Sequence, residues 1–315
     1  MKYQFKASLS LIILLLPCFA FSQNFKIVPL GIKGGIDESN LSAYMVAGTG
    51  TDNYICLDAG TLYYGIEKAI SNKVFSIPAE QVLRKYIKGY FISHAHLDHV
   101  SGLIINSPDD TVKNIYALAS CIETIKTHYF TWESWANFAN EGEKPALSKY
   151  HYKVLKPDSI AQIQNTDMTV QAFPLSHSNL TSAAFLIRSN DAYLLYLGDT
   201  GPDEVEKSTN LHNLWQAIAP LIKNKKLKAV MIETSFPDEQ PDKTLFGHLT
   251  PHWLMKEMDV LALLTGKEAL NGFNLIITHV KPPQVNIDKI KVQLKVENGL
   301  HLNLIFPEQG VAIEL

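Results

Sequence analysis

Hydrophobic and polar positions follow two alternating periods along the chain, and the switches between them predict a succession of strands and helices. Short apolar runs rich in β-branched residues predict buried strands at residues 54–60, 89–93, 168–178, 182–189, 192–200, 228–236 and 273–282. Helical spacing predicts helices at residues 65–70, 78–87, 211–224 and 251–265. Strands separated by helices are typical of an α/β fold in which helix layers pack on sheets.

Four of the predicted strands end in polar side chains that bind metals well. These ends read SHAHLDH, LSHS, LGDT and THVKP. Buried strands that release their polar residues at one end place those residues along one rim of a sheet. We therefore expect an active site assembled from distant parts of the sequence.

The N-terminus has the pattern of a secretory signal peptide over residues 1–22. Lys2 and Lys6 precede an apolar run at 9–16, and small residues at 20 and 22 form a cleavage signal. The run is shorter than the roughly 20 apolar residues that a membrane span needs, so no stable membrane anchor is expected. The expected location is the periplasm or the external medium.

Residues 23–315 have the composition of one globular catalytic domain. Hydrophobic residues make up 46% of the whole chain, and there is no internal repeat or Pro/Gly/Ser-rich linker. Without the signal peptide, 26 basic residues face 31 acidic ones, a formal charge of −5. An acidic chain argues against a protein that grips nucleic-acid backbones, so no nucleic-acid polymer is expected as a partner.

Two cysteines remain after the signal peptide, Cys56 and Cys121, and both lie in or beside apolar segments. We expect them to be buried free thiols, with a disulfide between them as the alternative.

Metal-binding side chains are concentrated in the loop HAHLDH at 94–99. Imidazole and carboxylate are the usual zinc ligands where thiolates are absent. Neighbouring side chains on a tight loop point in different directions, so these four cannot all reach one ion. The first two loop histidines would share one ion with the histidine of LSHS, and the last two loop ligands would share a second ion with the histidine of THVKP. The aspartate of LGDT would bridge both ions. The expected ligands are His94, His96, Asp98, His99, His177, Asp199 and His279.

The longer stretch HAHLDHVSGLIINSP at 94–108 resembles the signature of class II 3′,5′-cyclic-nucleotide phosphodiesterases, within the metallo-β-lactamase superfamily. Later blocks SHS, LGDT, ETS, HLTP and THVKP resemble that family as well. The resemblance implies an αββα sandwich with a dimetal site at the sheet edge. It also implies metal-dependent opening of cyclic AMP, cyclic GMP or both to 5′-nucleotides.

A dimetal site suits a cyclic phosphodiester, because a metal-bound water has its pKa lowered towards roughly 7 and can attack as hydroxide. Two Zn²⁺, two aspartates and one hydroxide sum to a charge of +1, which complements a monoanionic diester. We expect two Zn²⁺ as cofactors, with Mn²⁺ or Fe²⁺ left open. The expected partner is a small cyclic nucleotide, and a homodimer is left open.

The departing 3′-oxygen needs a proton or a metal. His248 in FGHLTP lies outside the seven ligands, and Glu233 in ETS matches the upstream acid that accompanies a similar His-x-Thr in related enzymes. We interpret His248 as a general acid, and Glu233 as the group that orients it and favours its protonated form. Thr250 is the expected N-cap of the following helix. The candidate catalytic residues are His248, Glu233 and Asp98.

Several features leave alternatives open. The aromatic segment at 128–138 stacks a purine or packs in the core, and Lys281 contacts phosphate or is solvated. His128, His151, His212 and His301 match no motif and are expected to be surface or structural histidines. The alternative functions are a lactonase, a thioester hydrolase or a tRNA 3′-processing-type phosphodiesterase, all of which share the dimetal ligands. A β-lactamase is disfavoured, because enzymes of that kind often carry cysteine in place of Asp199.

The mature protein in its native host should begin at Gln23, because the cleavage signal ends at Ser22. N-terminal analysis of the exported protein checks this. Detection of Met1, or of a lipidated Cys18, in the mature protein would contradict it.

Overall fold

The computed structural model describes Met1 and residues 24–315. Apart from Met1, the predicted signal peptide and its cleavage site lie outside the described residues. Within the described part, no helix is long and apolar enough to cross a membrane. The chain from residue 24 onward forms two mixed seven-stranded sheets.

The first sheet is built mainly from the N-terminal half of the chain, with one strand from the C-terminus at its edge. Its order is β14-β1-β2-β3-β4-β5-β6, antiparallel as far as β3 and parallel from β3 to β6. The strands are β1 Phe25–Gly31, β2 Ala43–Gly48, β3 Tyr54–Leu57, β4 Ile87–Phe91, β5 Lys113–Ala117, β6 Tyr150–Val154 and β14 Ile313–Glu314.

The second sheet contains the remaining strands in the order β13-β12-β11-β10-β9-β8-β7. Pairing is antiparallel from β7 to β10 and parallel from β10 to β13. The strands are β7 Ile160–Gln162, β8 Met168–His177, β9 Leu180–Ser189, β10 Ala192–Leu197, β11 Leu227–Glu233, β12 Asn274–Thr278 and β13 Asn303–Ile305.

Eight α-helices lie within residues 24–315: α1 Tyr63–Ser71, α2 Ala79–Gln81, α3 Leu97–Asn106, α4 Ala119–Thr124, α5 Asp203–Glu206, α6 Asn210–Lys223, α7 Pro251–Thr265 and α8 Gln284–Glu297. Short π-helical turns follow α2 and α4 at Val82–Tyr86 and Ile125–Tyr129. Two 3₁₀ turns lie at Asp242–Thr244 and Lys267–Ala269. The Thr250 side chain accepts a hydrogen bond from the Trp253 amide, so the expected N-cap of α7 is confirmed.

Side-chain alternation along the strands produces three apolar layers. In β2, Tyr44 and Val46 face the second sheet, whereas Met45 faces the helices that cover the first sheet. In β10, Tyr196 faces the first sheet and Leu195 faces the helices beyond the second sheet. Helices therefore cover the outer face of each sheet, and the predicted αββα sandwich is confirmed.

The predicted elements agree with the structure in type and differ at their ends. The predicted helix at 78–87 is shorter, because the chain changes to a π-helical turn at Val82 and enters β4 at Ile87. The predicted strands at 54–60, 192–200 and 273–282 stop two or more residues earlier, where polar side chains leave the ladder. Cys56 and Cys121 are buried free thiols, as expected.

A buried ion pair fixes the edge of the first sheet next to the strand that leads to His94. Asp110 forms an ion pair with Lys113, and it accepts hydrogen bonds from the Tyr90 hydroxyl at 2.6 Å and the Tyr150 hydroxyl at 2.8 Å. These contacts link β4, β5 and β6. Burial lowers the pKa of Lys113, while the neighbouring charge of Asp110 opposes that shift.

Changing Asp110 to Ala should destabilise the protein by about 3–5 kcal/mol, because it leaves the Lys113 ammonium buried without its partner. Urea denaturation measures this loss. Glu204→Ala is the matched control, since it breaks the exposed Lys256–Glu204 pair and should change the midpoint little. Equal small effects from both variants would contradict the prediction.

Candidate active site

The loop after β4 divides its four metal-binding side chains between two directions. His94 stands before α3, His96 is the N-cap residue of that helix, and Asp98 and His99 lie in its first turn. The helical turn rotates the last two side chains away from the first two. An acidic residue in the first turn also interacts favourably with the helix dipole.

His94, His96 and His177 come together as the first candidate metal group. One nitrogen of each lies within 4.8 Å of the others, and His177 Nε2 is 3.3 Å from His96 Nδ1. His177 Nδ1 donates to the Gly247 carbonyl at 2.8 Å, which turns Nε2 towards the group. The structure thus assembles the three side chains expected for the first ion.

Asp98, His99 and His279 form the second candidate group, again with one ligand atom of each within 4.8 Å of the others. His279 Nε2 is 3.2 Å from Asp98 Oδ2. Burial raises the pKa of Asp98, but the hydrogen bond from His279 and the charges of His99 and His279 outweigh it and hold that pKa below its usual range. Asp98 is therefore a carboxylate, the form that binds a cation.

Asp199 lies between the two groups. Its Oδ2 is 3.3 Å from His99 Nε2, 3.4 Å from His279 Nε2 and 3.8 Å from both His94 Nε2 and His177 Nε2. The side chain is almost fully buried. All seven expected ligands thus converge on one region, with Asp199 placed to bridge, while metal ligation itself stays a prediction.

The donor atoms fit divalent cations. Among residues 24–315, Nε2 of His94 and Nε2 of His99 are buried side-chain nitrogens without a hydrogen-bond partner, although such atoms normally have one. Both face Asp199. Neutral imidazole nitrogens and carboxylate oxygens with no thiolate among them are ligands that suit zinc and related divalent ions.

Asp58 orients the site, and we did not identify it from the sequence. His99 Nδ1 donates to Asp58 Oδ2 at 2.8 Å, which leaves Nε2 facing Asp199. The same carboxylate accepts hydrogen bonds from the Ser93 amide and hydroxyl and from the Tyr196 hydroxyl. The available signal was an aspartate directly after the apolar strand YICL, in the same position relative to its strand as the predicted ligands.

Ser235 is a second residue that we did not identify. Its hydroxyl accepts from His279 Nδ1 at 2.9 Å and donates to Glu233 Oε2 at 2.5 Å. This bond leaves His279 Nε2 free to face Asp98. One hydroxyl therefore connects a candidate ligand to a candidate catalytic acid.

Four residues at or beside the site have a backbone in the left-handed region. Asp58, Ser178, Phe246 and His279 all have φ between +52° and +53°. Non-glycine residues adopt this region at an energetic cost, which a surrounding structure can impose at functional sites. Gly34 contributes in another way, because a Cβ there would collide with the imidazole of His279.

Glu233 and His248 are in direct contact, as expected. His248 Nδ1 is 2.8 Å from Glu233 Oε1, which also accepts the Thr200 amide at 2.9 Å. Burial, with a smaller contribution from the charge of Asp199, raises the pKa of Glu233. Burial lowers the pKa of His248 to about 4, and Lys281 adds to that shift while Asp199 opposes it. Burial thus opposes the protonated form of His248 that we expected Glu233 to favour, and the role of His248 as an acid stays a prediction.

His248 also lies close to the candidate ligands. Its Nδ1 is 3.8 Å from Asp199 Oδ2, and the side chain belongs to two further groups able to hold a cation, one with His177 and Asp199 and one with Glu233 and His279. Its placement outside the seven ligands therefore stays a prediction.

Lys281 is half-buried beside the site. Its Nζ lies 2.7 Å from His248 Nε2 and 5.1 Å from the centre of the Phe236 ring. The sequence left open whether Lys281 contacts phosphate or is solvated. Its partial burial does not fit a freely solvated lysine.

A cavity of about 370 Å³ opens beside His94 and His96. Its other lining residues include Ser120, Thr124, His128, Tyr129, Leu180 and Thr181. The aromatic segment at 128–138 thus contributes its first two residues, whereas Trp132 and Trp135 bond through their indole N–H groups to Pro145 and Ser107. His128, which we expected to be a surface or structural histidine, lies on the wall of this cavity.

The family model described as cAMP phosphodiesterases class-II matches residues 23–310. A 3′,5′-cyclic-nucleotide phosphodiesterase from Aliivibrio fischeri is 43% identical over 328 aligned positions, which cover 98% of this chain and 99% of that protein.

Two solved structures extend the comparison to the fold. Unliganded yeast PDE1 superposes with a TM-score of 0.78 at 21% identity, over 93% of this chain and 100% of that one. A metallo-β-lactamase fold protein from Bacillus subtilis, YhfI, gives 0.60 at 17% identity, over 92% and 99%. The fold is therefore that of the metallo-β-lactamases, a fold that implies binding of divalent metal.

Metal analysis of the purified protein should give about two zinc ions per chain, because seven ligands are too many for one tetrahedral ion. Asp199→Ala should lose the bridge and most of the hydrolytic activity. A single tightly bound ion, together with near-normal turnover by Asp199→Ala, would rule out a two-metal site.

Proposed function

The chain belongs to the class II cyclic-nucleotide phosphodiesterases, and from that membership we propose that it opens 3′,5′-cyclic nucleotides, cyclic AMP or cyclic GMP, to 5′-nucleotides. The observation that carries the proposal is the contact between His248 and Glu233 at the side of the seven converging ligands. Dimetal hydrolases in general need only the side chains that bind the two metal ions. A hydrolase that expels a sugar alkoxide also needs a group that delivers a proton.

His94, His96 and His177 would hold one cation, and Asp98, His99 and His279 the other, with Asp199 shared between them. Two divalent cations, when bound, supply an activated nucleophile and neutralise negative charge on the phosphoryl group. We propose zinc, because five of the seven donors are imidazoles.

His248 protonates the departing 3′-oxygen in this proposal, and Glu233 orients its ring. The hydrogen bond from Nδ1 to Glu233 Oε1 leaves Nε2, which contacts Lys281 Nζ at 2.7 Å in the free site, as the nitrogen that would carry the transferred proton. Burial holds the pKa of His248 low, so the free site favours the neutral imidazole. A bound phosphodiester brings negative charge next to the ring, and a nearby opposite charge favours the imidazolium.

The nucleoside part of the substrate occupies the cavity beside His94 and His96. Its volume of about 370 Å³ lies at the lower end of the range for small-molecule sites. His128 and Tyr129 supply ring surface, while the hydroxyls of Ser120 and Thr124 are polar groups on its wall. Mixed aromatic and hydroxyl lining suits a purine nucleoside.

The enzyme acts outside the inner membrane in this proposal. The support is the N-terminal pattern of residues 1–22, with its basic start, apolar run and small-residue cleavage signal. Cyclic nucleotides outside the cell membrane would then be its substrates.

Removal of His248 should reduce activity most where the leaving group is poor. His248→Ala should lose about 10²–10⁴-fold in kcat on cyclic AMP, which is the usual contribution of general acid catalysis. On bis(p-nitrophenyl) phosphate, whose leaving group needs no proton, the loss should be much smaller. Parallel assays with both substrates measure the difference.

Glu233→Gln serves as the matched variant, because it keeps the shape of the partner and should show the same selectivity more mildly. Zinc content should stay unchanged in both variants. Equal losses on the two substrates with the metals retained would mean that His248 positions phosphate. Loss of zinc from His248→Ala would place His248 among the ligands.

A further inference from the structure

Lys281 carries a positive charge into a site that is built for cations. Its backbone N–H donates to the Ser235 carbonyl at 3.3 Å, so the root of the side chain is anchored two residues after His279. The ammonium then lies 2.7 Å from His248 Nε2 and packs over the Phe236 ring at 5.1 Å. Two aromatic rings thus hold the ammonium in place at the side of the metal-ligand cluster.

This ammonium has unused hydrogen-bonding capacity. A lysine offers three N–H donors, and the one side-chain hydrogen bond of Lys281 within residues 24–315 goes to His248. No carboxylate in that part of the chain forms an ion pair with it, whereas nearby Lys33 is neutralised by Asp37 at 2.8 Å. Two donors therefore remain for a ligand.

The electrostatics require an anion as that ligand. Divalent cations held by the seven ligands would repel the Lys281 ammonium, and its one side-chain hydrogen-bond partner within residues 24–315, the His248 imidazole, carries no negative charge to compensate. An anion that contacts both the cations and the ammonium removes this repulsion. Fixed positive groups around a transferring phosphoryl group are a recurrent arrangement for this reason.

We infer that Lys281 binds a non-bridging phosphoryl oxygen of the cyclic nucleotide and of the 5′-nucleotide product. The inference rests on the proposed phosphodiesterase function and assigns to it a substrate-contacting residue on the side of the site where His248 lies. It follows that Lys281 binds the dianionic product more strongly than the monoanionic substrate.

Three ligands that share one nucleoside but differ in charge test this contact. Adenosine is neutral, cyclic AMP carries one negative charge and 5′-AMP carries about two. In zinc-loaded Lys281→Gln, the inhibition constant of adenosine should be unchanged, while KM for cyclic AMP should rise about 10-fold. The inhibition constant of 5′-AMP should rise about 100-fold, as expected for loss of a charge-assisted hydrogen bond.

Lys33→Gln is the matched control. The backbone of Lys33 pairs with Val280 next to the site, but its ammonium forms an ion pair with Asp37. It should leave all three constants unchanged. Lys281→Arg should restore most of the affinity for 5′-AMP. An equal loss for all three ligands in Lys281→Gln would overturn the inference and would make Lys281 a support for His248.

Calorimetric binding of inorganic phosphate separates this inference from the proposed function. Lys281→Gln should weaken phosphate binding to the zinc-loaded protein about 10-fold or more, whether or not cyclic nucleotides are turned over. If the protein without any substitution hydrolyses no cyclic nucleotide, the proposed function fails. The affinity for inorganic phosphate still tests the role of Lys281 in that case. Unchanged phosphate affinity in an actively hydrolysing protein would overturn the inference alone.

Discussion

The negative charge of Asp199, buried among imidazole rings, is the constraint on which the arrangement of the site depends. Its Oδ2 lies within 3.8 Å of nitrogens from five histidines, which come from both sheets. A carboxylate without compensation at this depth would be strongly unfavourable. The histidines, and any cations that they hold, supply the compensation, so their rings must all point inwards.

Inward-pointing rings need an outer set of hydrogen bonds to hold them. Asp58 holds His99, the Gly247 carbonyl holds His177, and Ser235 holds His279, each through Nδ1. In every case the bond leaves Nε2 for the centre of the site. These partners come from a strand end, a glycine turn and a second strand end, so the fold determines the ring orientations as firmly as it determines the ligand positions.

Much of the site could be predicted from the sequence, because its residues follow strands directly. Asp199 after LYLG and His279 after LIIT were identifiable from an apolar run that stops at a metal-binding side chain. Asp58 follows the same rule, but its role is to hydrogen-bond His99, and that contact joins residues 41 positions apart in the chain. The position of Lys281 was beyond sequence reasoning, since its distance to His248 depends on how β11 and β12 lie side by side.

The boundaries of the secondary-structure elements and the protonation of His248 show two limits of prediction from the sequence. Apolar pattern alone does not show where an α-helix ends and a π-helical turn begins, as at Val82, because both can bury one face of the segment. A Glu–His pair in a sequence favours a protonated imidazole, whereas burial, which is a property of the folded molecule, lowers the pKa of His248.

The division of the seven candidate ligands between the two sheets has a thermodynamic consequence. The loop after β4 belongs to the first sheet, whereas His177 ends a strand of the second sheet and Asp199 and His279 follow two others. An ion that binds both sets binds only when the sheets are apposed, so its binding free energy is added to the free energy of unfolding. By mass action, the concentration of free metal ion outside the protein then governs how firmly the two halves of the sandwich stay together.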